Sequence, residues 1–133
     1  MADAAVTDTH PLLMHVGQRP TLGARAAAHF HAVEDGSAWV YVPMAVVWEI
    51  TFLARAGRID LRRSPADFFQ ELFLNPSYQP LDMTLDQVLE ADAARFTRDP
   101  FDALIVAAAQ VLGLPLITRD GDLAASGAVK VIW

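Results

Sequence analysis

Cysteine is absent from the chain. That rules out a disulfide framework and a thiolate metal site, and it fits a reducing, cytoplasmic setting. Positive charge is scarce as well: 10 Lys and Arg face 16 Asp and Glu, a formal net charge of −6. An acidic total works against nonspecific nucleic-acid binding, which depends on Lys and Arg. It says little about a single site, because carboxylates held on divalent cations no longer count in full. The N-terminal stretch MADAAVTDTHPLLMH has neither a basic leader nor a long apolar core. No window reaches the roughly 18 uncharged apolar residues of a membrane span. There is no nucleophile elbow, phosphate-binding loop or dinucleotide fingerprint. The histidines fall at 10, 15, 29 and 31, and no two have the i, i+4 spacing of a helical zinc pair. They read as surface or interface residues.

With 133 residues and no repeat, linker or low-complexity tract, the chain reads as one domain over 1–133. It is long enough to bury a core without staples. The hydrophobic fraction of 53% is high for a soluble domain, and part of that surface is available to a partner.

Strand and helix signals alternate. Ala4 to Thr7 reads as a first strand ending at Asp8, and Ala-rich Thr21 to Val33 as a helix stopped by Glu34-Asp35-Gly36. AWVYV at 38–42 is aromatic and β-branched, hence a strand. Pro43 ends it, and Ala45 to Ala56 follows as a helix closed by Gly57. Ser64-Pro65 starts a helix over PADFFQELF. Tyr78 to Asp82 reads as an edge strand, because Pro80 cannot donate to a central ladder. Thr84 with Gln87 makes a capping box for TLDQVLEADAARF. Asp99-Pro100 opens a helix that ends at Gly113, and Leu114 to Thr118 and Ala128 to Trp133 read as the last strands. This alternation predicts an α/β fold, a parallel β-sheet flanked by helices on both faces.

The segment RDPFDALIVAAAQ, residues 98–110, places two acids at the mouth of an apolar run. Asp99 suits an N-cap, and Asp102 then falls at N3, facing free N–H groups and the positive helix end. That accounts for both acids structurally. Other acids change the balance. Asp8 follows the first predicted strand and Asp120 follows LPLIT, and ligands of open α/β sheets gather at such strand ends. Glu49 is the only charge in AVVWEITFLA, where a carboxylate is costly to desolvate without a positive partner. Each has a local alternative: a salt bridge from Glu49 to Arg55 or plain exposure, a cap by Asp8 for THPLLMH, and a turn role for Asp120 in RDGD. One shared site explains them together. Clustered carboxylates stay ionised around a divalent cation, and an all-oxygen donor set favours Mg²⁺ or Mn²⁺. Such ions activate water and neutralise charge on a phosphoryl group under in-line attack.

Taken in order, DTHPLL, VVWEI, RDPFDALIVAAAQ, LPLITRDGDL and VKVIW make the chain resemble the PIN-domain family from Asp8 to Trp133. More narrowly it resembles VapC-type toxins of bacterial toxin–antitoxin pairs. The resemblance implies a single PIN-like domain with an acidic Mg²⁺ or Mn²⁺ site. It implies endoribonuclease activity on tRNA or ribosomal RNA, a cognate antitoxin and a homodimer. It assigns catalysis and metal binding to Asp8, Glu49, Asp102 and Asp120. Asp99 and Thr118 become supporting residues, and Asp122 is a lesser candidate, deeper in its turn. The chain departs from the family where PMAVVWE carries Val46 at a position often occupied by a hydroxyl, and where the segment from Asp8 to Trp39 is short.

Arg55, Arg58, Arg62 and Arg63 form the densest basic cluster and are candidates to hold an RNA backbone; a solvated helix end is the plainer alternative. Two other functions compete. One is a PIN-like interaction protein with lost or latent nuclease activity, using apolar ridges at Met44, Trp48, Phe52 and at Phe68, Phe69, Leu72, Phe73. By pattern, both ridges are more often core than interface. The other is a Mg²⁺-dependent phosphoacceptor domain, which needs a lysine at the carboxyl ends of the last strands, whereas Lys130 lies within the terminal strand.

Overall fold

Apolar side chains occupy consecutive positions in the first strand, and this fixes the layering. A computed structural model of the chain describes residues 3–94 and 97–133. Strand β1 (Asp3–Thr7) buries Ala5, Val6 and Thr7 in succession. Successive strand residues point to opposite faces, so both faces of β1 are covered. Helices α1 (Thr9–Val16) and α2 (Ala24–Glu34) lead to β2 (Ala38–Pro43). Then come α3 (Met44–Arg55), α4 (Pro65–Leu72), β3 (Tyr78–Leu81), α5 (Leu85–Ala93) and α6 (Pro100–Leu112). The chain ends with β4 (Leu116–Ile117), α7 (Gly121–Ser126) and β5 (Val131–Ile132). All pairings are parallel, in the order β3-β2-β1-β4-β5. The fold is α/β with an all-parallel sheet, the expected class, and no described helix is long and apolar enough to cross a membrane.

The core lies where α2, α3 and α6 meet the central strands, around Val6, Phe30, Val40, Val46, Ile50, Ile105 and Leu116. Val46 is fully buried there, so this chain uses the position for packing. Pro80 sits on edge strand β3, opposite Val42. Tyr78 donates a hydrogen bond of 2.7 Å to Glu34, tying β3 to α2, and His15 of α1 meets the same carboxylate at 2.9 Å while stacking on Phe30.

Some expectations are corrected. GDLAAS after RD forms a helix with Asp120 as its N-cap. The last two strands shrink to two residues each. Trp48 and Phe52 are not core: they are 52% and 44% exposed, while Met44 is half-buried. Phe68 and Phe69 do pack into the core, and Leu72 and Phe73 rest against it. The predicted helix end at Arg95 and Phe96 lies outside the described residues.

Helix α2 has no side-chain cap. The Trp133 backbone oxygen instead accepts from the N–H groups of Arg25 and Ala26, at 2.8 and 3.1 Å. A Cβ at Gly23 would meet the Trp133 backbone carbon and oxygen at 2.7 Å. Gly23→Ala is therefore expected to destabilise by about 1–3 kcal/mol, read as a lowered Tm, by forcing Trp133 off α2.

Candidate functional site

Strand order reverses at β1. The chain runs from β1 to β2 and β3 on one side, then to β4 and β5 on the other. A reversal of this kind leaves a crevice at the strands' carboxyl ends. Asp8 follows β1 and Asp120 follows β4, its neighbour. Glu49 arrives from α3 and Asp102 from the first turn of α6. Asp8, Glu49, Asp99, Asp102, Thr118 and Asp120 line one hollow of about 300 Å³, together with His10, Pro11 and Arg119. A larger hollow of about 690 Å³, beside α1 and α2, carries Glu34 as its lone carboxylate and offers no comparable chemistry.

The acids are held by the fold. The Asp8 N–H donates to the Ile117 carbonyl at 2.9 Å, pinning the start of α1 to β4. Asp8 Oδ1 accepts from the Thr9 N–H at 2.8 Å, and Asp8 Oδ2 accepts from Thr118 Oγ1 at 2.7 Å. Thr118 Oγ1 also accepts from the Asp120 N–H at 3.1 Å, so one buried hydroxyl orients two acids. Glu49 accepts from buried Thr9 Oγ1 at 2.5 Å. The sequence reading missed Thr9; a hydroxyl directly after Asp8 was the available signal. Asp99 Oδ1 accepts from the Phe101 and Asp102 N–H groups, and Asp120 Oδ1 from those of Asp122 and Leu123. Capping and lining the cleft thus coexist in Asp8, Asp99 and Asp120. A cap occupies one carboxylate oxygen and keeps the charge against the positive helix end.

Burial pushes the Asp102 carboxyl up to about 7, and the neighbouring charges of Asp99, Asp8, Asp120 and Glu49 push the same way. Burial also raises Asp8, against the hydrogen bonds from Thr118 and Thr9. No ion pair between described residues offsets these acids; the pairs found are His15–Glu34 and Arg63–Glu71. Glu49 has no salt bridge to Arg55, whose guanidinium lies 5.5 Å from the Trp48 ring centre. The donor set fits a hard divalent cation: all oxygen, several formal charges, no sulfur. Among the described residues, no three Asp, Glu, His or Cys side chains are placed closely enough to hold a metal ion.

The basic cluster does not line this cleft. Arg63 pairs with Glu71 at 3.3 Å and lies over Phe68, and the Arg62 N–H donates to Asp60 at φ +59°. Arg58 lines a neighbouring hollow. His10 and Arg119 are at the acids instead, and sequence reasoning passed over both although each is within two residues of a candidate acid. Exposed Asp122 is not among the lining residues. Lys130 precedes β5, at the opposite end of the sheet from the acids, which removes the phosphoacceptor arrangement.

Thr118→Val removes the hydroxyl that Asp8 and Asp120 share. It is expected to destabilise by about 1–3 kcal/mol. It should also weaken Mn²⁺ binding about 10- to 100-fold, read by calorimetry, because an orienting partner is lost.

An open parallel sheet with acids gathered at its switch point belongs to the α/β proteins built to bind at strand ends. The sequence model of the PIN domain matches residues 5–128, and the chain belongs to that family. No match emerges among curated proteins. Solved structures share the fold. A toxin–antitoxin complex from Klebsiella pneumoniae is 20% identical with TM-score 0.63, covering 97% of this chain and 96% of that one. FitAcB from Neisseria gonorrhoeae is 20% identical with TM-score 0.67, covering 97% and 96%. VapBC2 from Rickettsia felis, bound to a promoter DNA fragment, is 10% identical with TM-score 0.70, covering 96% of each chain.

Proposed function

We propose that this PIN domain is a Mg²⁺- or Mn²⁺-dependent endoribonuclease and the toxin of a toxin–antitoxin pair. One observation carries the reading: Asp8, Glu49, Asp102 and Asp120 line a single cleft at the switch point of a PIN fold. These four, which line the shared hollow, would hold the cation. When bound, the ion supplies Lewis acidity, which activates water and offsets charge on a phosphodiester under in-line attack. The chain's own residues place that chemistry. Thr118 and Thr9 orient Asp8 and Glu49, and Asp99 anchors the start of α6 beneath Asp102. Arg119 at the rim meets the phosphate backbone. The substrate is RNA, of the tRNA or ribosomal class by family resemblance, and the setting is cytoplasmic.

The similar toxin–antitoxin complexes support a cognate antitoxin as partner. Exposed Trp48 and Phe52 on α3, with Leu85 and Leu89 on α5, support pairing with a second copy. Light scattering at micromolar concentration is expected to give a dimer that Trp48→Glu converts to monomer; a clean wild-type monomer refutes the pairing. These exposed apolar residues also favour the second reading, an interaction protein with lost or latent nuclease activity. An assay on single-stranded RNA separates the two: cleavage with Mn²⁺ that stops with EDTA supports the nuclease, and intact RNA under both conditions supports the interaction protein.

A further inference from the structure

The geometry points to a strand-binding subsite beside the acidic cleft: the hollow between α1 and the loop after α3 holds the sugar–phosphate backbone of single-stranded RNA, with Arg19 and Arg58 as its phosphate contacts. The inference rests on the nuclease reading and deepens it. His10 lines both the acidic cleft and this second hollow, so the two are adjacent. The second hollow measures about 450 Å³, within the usual range for a bound small molecule. Leu13, Met14, Ile59 and Leu61, all partly buried, supply an apolar surface for a base. Arg19 and Arg58 are exposed, and neither forms an ion pair with a described residue. The one acid lining the hollow, Asp60, already accepts the Arg62 N–H at 2.8 Å.

Geometry also fixes the subsite relative to the metal acids. Asp8 caps α1, and His10, Leu13 and Met14 project from the same eight-residue helix, about 12 Å long. One rigid element therefore carries both a candidate metal ligand and a wall of the subsite. Arg58 and Arg19 line the same hollow as that wall. In a chain of net charge −6, two unpaired guanidiniums next to an acidic cleft favour a polyanion that passes through both hollows. Its place beside the proposed nuclease cleft favours a phosphodiester backbone over an acidic protein segment, which the guanidiniums would also attract.

The test measures anisotropy of a fluorescein-labelled single-stranded RNA of about 16 nucleotides, with Mn²⁺, across a KCl series. Arg19→Ala/Arg58→Ala is compared with Arg25→Ala/Lys130→Ala, which removes equal charge at a hollow lined by Arg25 and Lys130. The first variant is expected to bind about tenfold more weakly at low salt. Its slope of log affinity against log salt should be shallower by about 1.4, from two lost single-strand contacts. The control should keep the wild-type slope, and restoring charge with Arg58→Lys should recover part of the affinity. A wild-type slope in the first variant overturns the subsite. So does an equal loss in the control, or a defect confined to binding of a protein partner. Cleavage of the same RNA separates the two readings. Altered binding without wild-type cleavage sinks the nuclease and leaves the subsite, whereas cleavage with an unaltered salt slope does the reverse.

Discussion

Asp102→Asn is expected to lower kcat/KM for RNA cleavage by at least about a thousandfold, equivalent to about 4 kcal/mol of transition-state stabilisation. Asp8→Asn is expected to do the same. The substitution keeps the shape of the side chain and its place in the first turn of α6, and it removes one negative donor from the cleft. A structural role and a metal-binding role predict opposite effects on stability. Asp102 faces the charges of Asp99, Asp8, Asp120 and Glu49, so neutralising it relieves repulsion in the metal-free protein. The metal-free Tm should therefore hold or rise in Asp102→Asn while activity is lost. Loss of activity with a fallen Tm would mark Asp102 as a packing residue. Wild-type activity in either variant would remove the nuclease mechanism.

Mn²⁺ is expected to raise the Tm of the wild-type domain by about 10 °C at 100 times its Kd, the equivalent of about 2.7 kcal/mol. The effect should shrink below about pH 6. Asp102 titrates near 7 in the folded chain against an ordinary 3.8, so a proton and the cation compete for it. The same shift sets the metal-free behaviour. The folded state holds that proton more tightly than the unfolded state, so metal-free stability falls as pH rises from about 4 to about 7. Thermal melts at several pH values, with and without Mn²⁺, should diverge most above neutrality. Asp102→Asn should flatten both trends. Parallel melts with no pH-dependent gap would contradict the cluster's electrostatics.

These acids were legible in the sequence because each sits at a punctuation mark: the end of a strand, the start of a helix, or the lone charge in an apolar window. Local signals of that kind survive without knowledge of the fold. Relations across the fold do not. Helix α3 is apolar on most sides, so its pattern could not show that Trp48 and Phe52 face outward while Val46 and Ile50 face in. Helix α7 was hidden because Asp and Gly in RDGD serve a turn and a helix start equally well. The last strands read too long because flanking apolar residues pack against the core without joining the ladder. The arginine cluster was found by density along the chain, yet the cleft wall recruits Arg119, and its neighbouring hollow recruits Arg19, by proximity in space.

The most direct measurement is a calorimetric titration of Mn²⁺ into the wild-type protein and an Asp8→Asn/Asp102→Asn double variant at pH 7.5. Saturable binding to the wild type, with proton release, and its disappearance in the double variant is the expected result. No binding at millimolar Mn²⁺, or equal binding by both proteins, would mean that residues 8, 49, 102 and 120 share a hollow without sharing an ion.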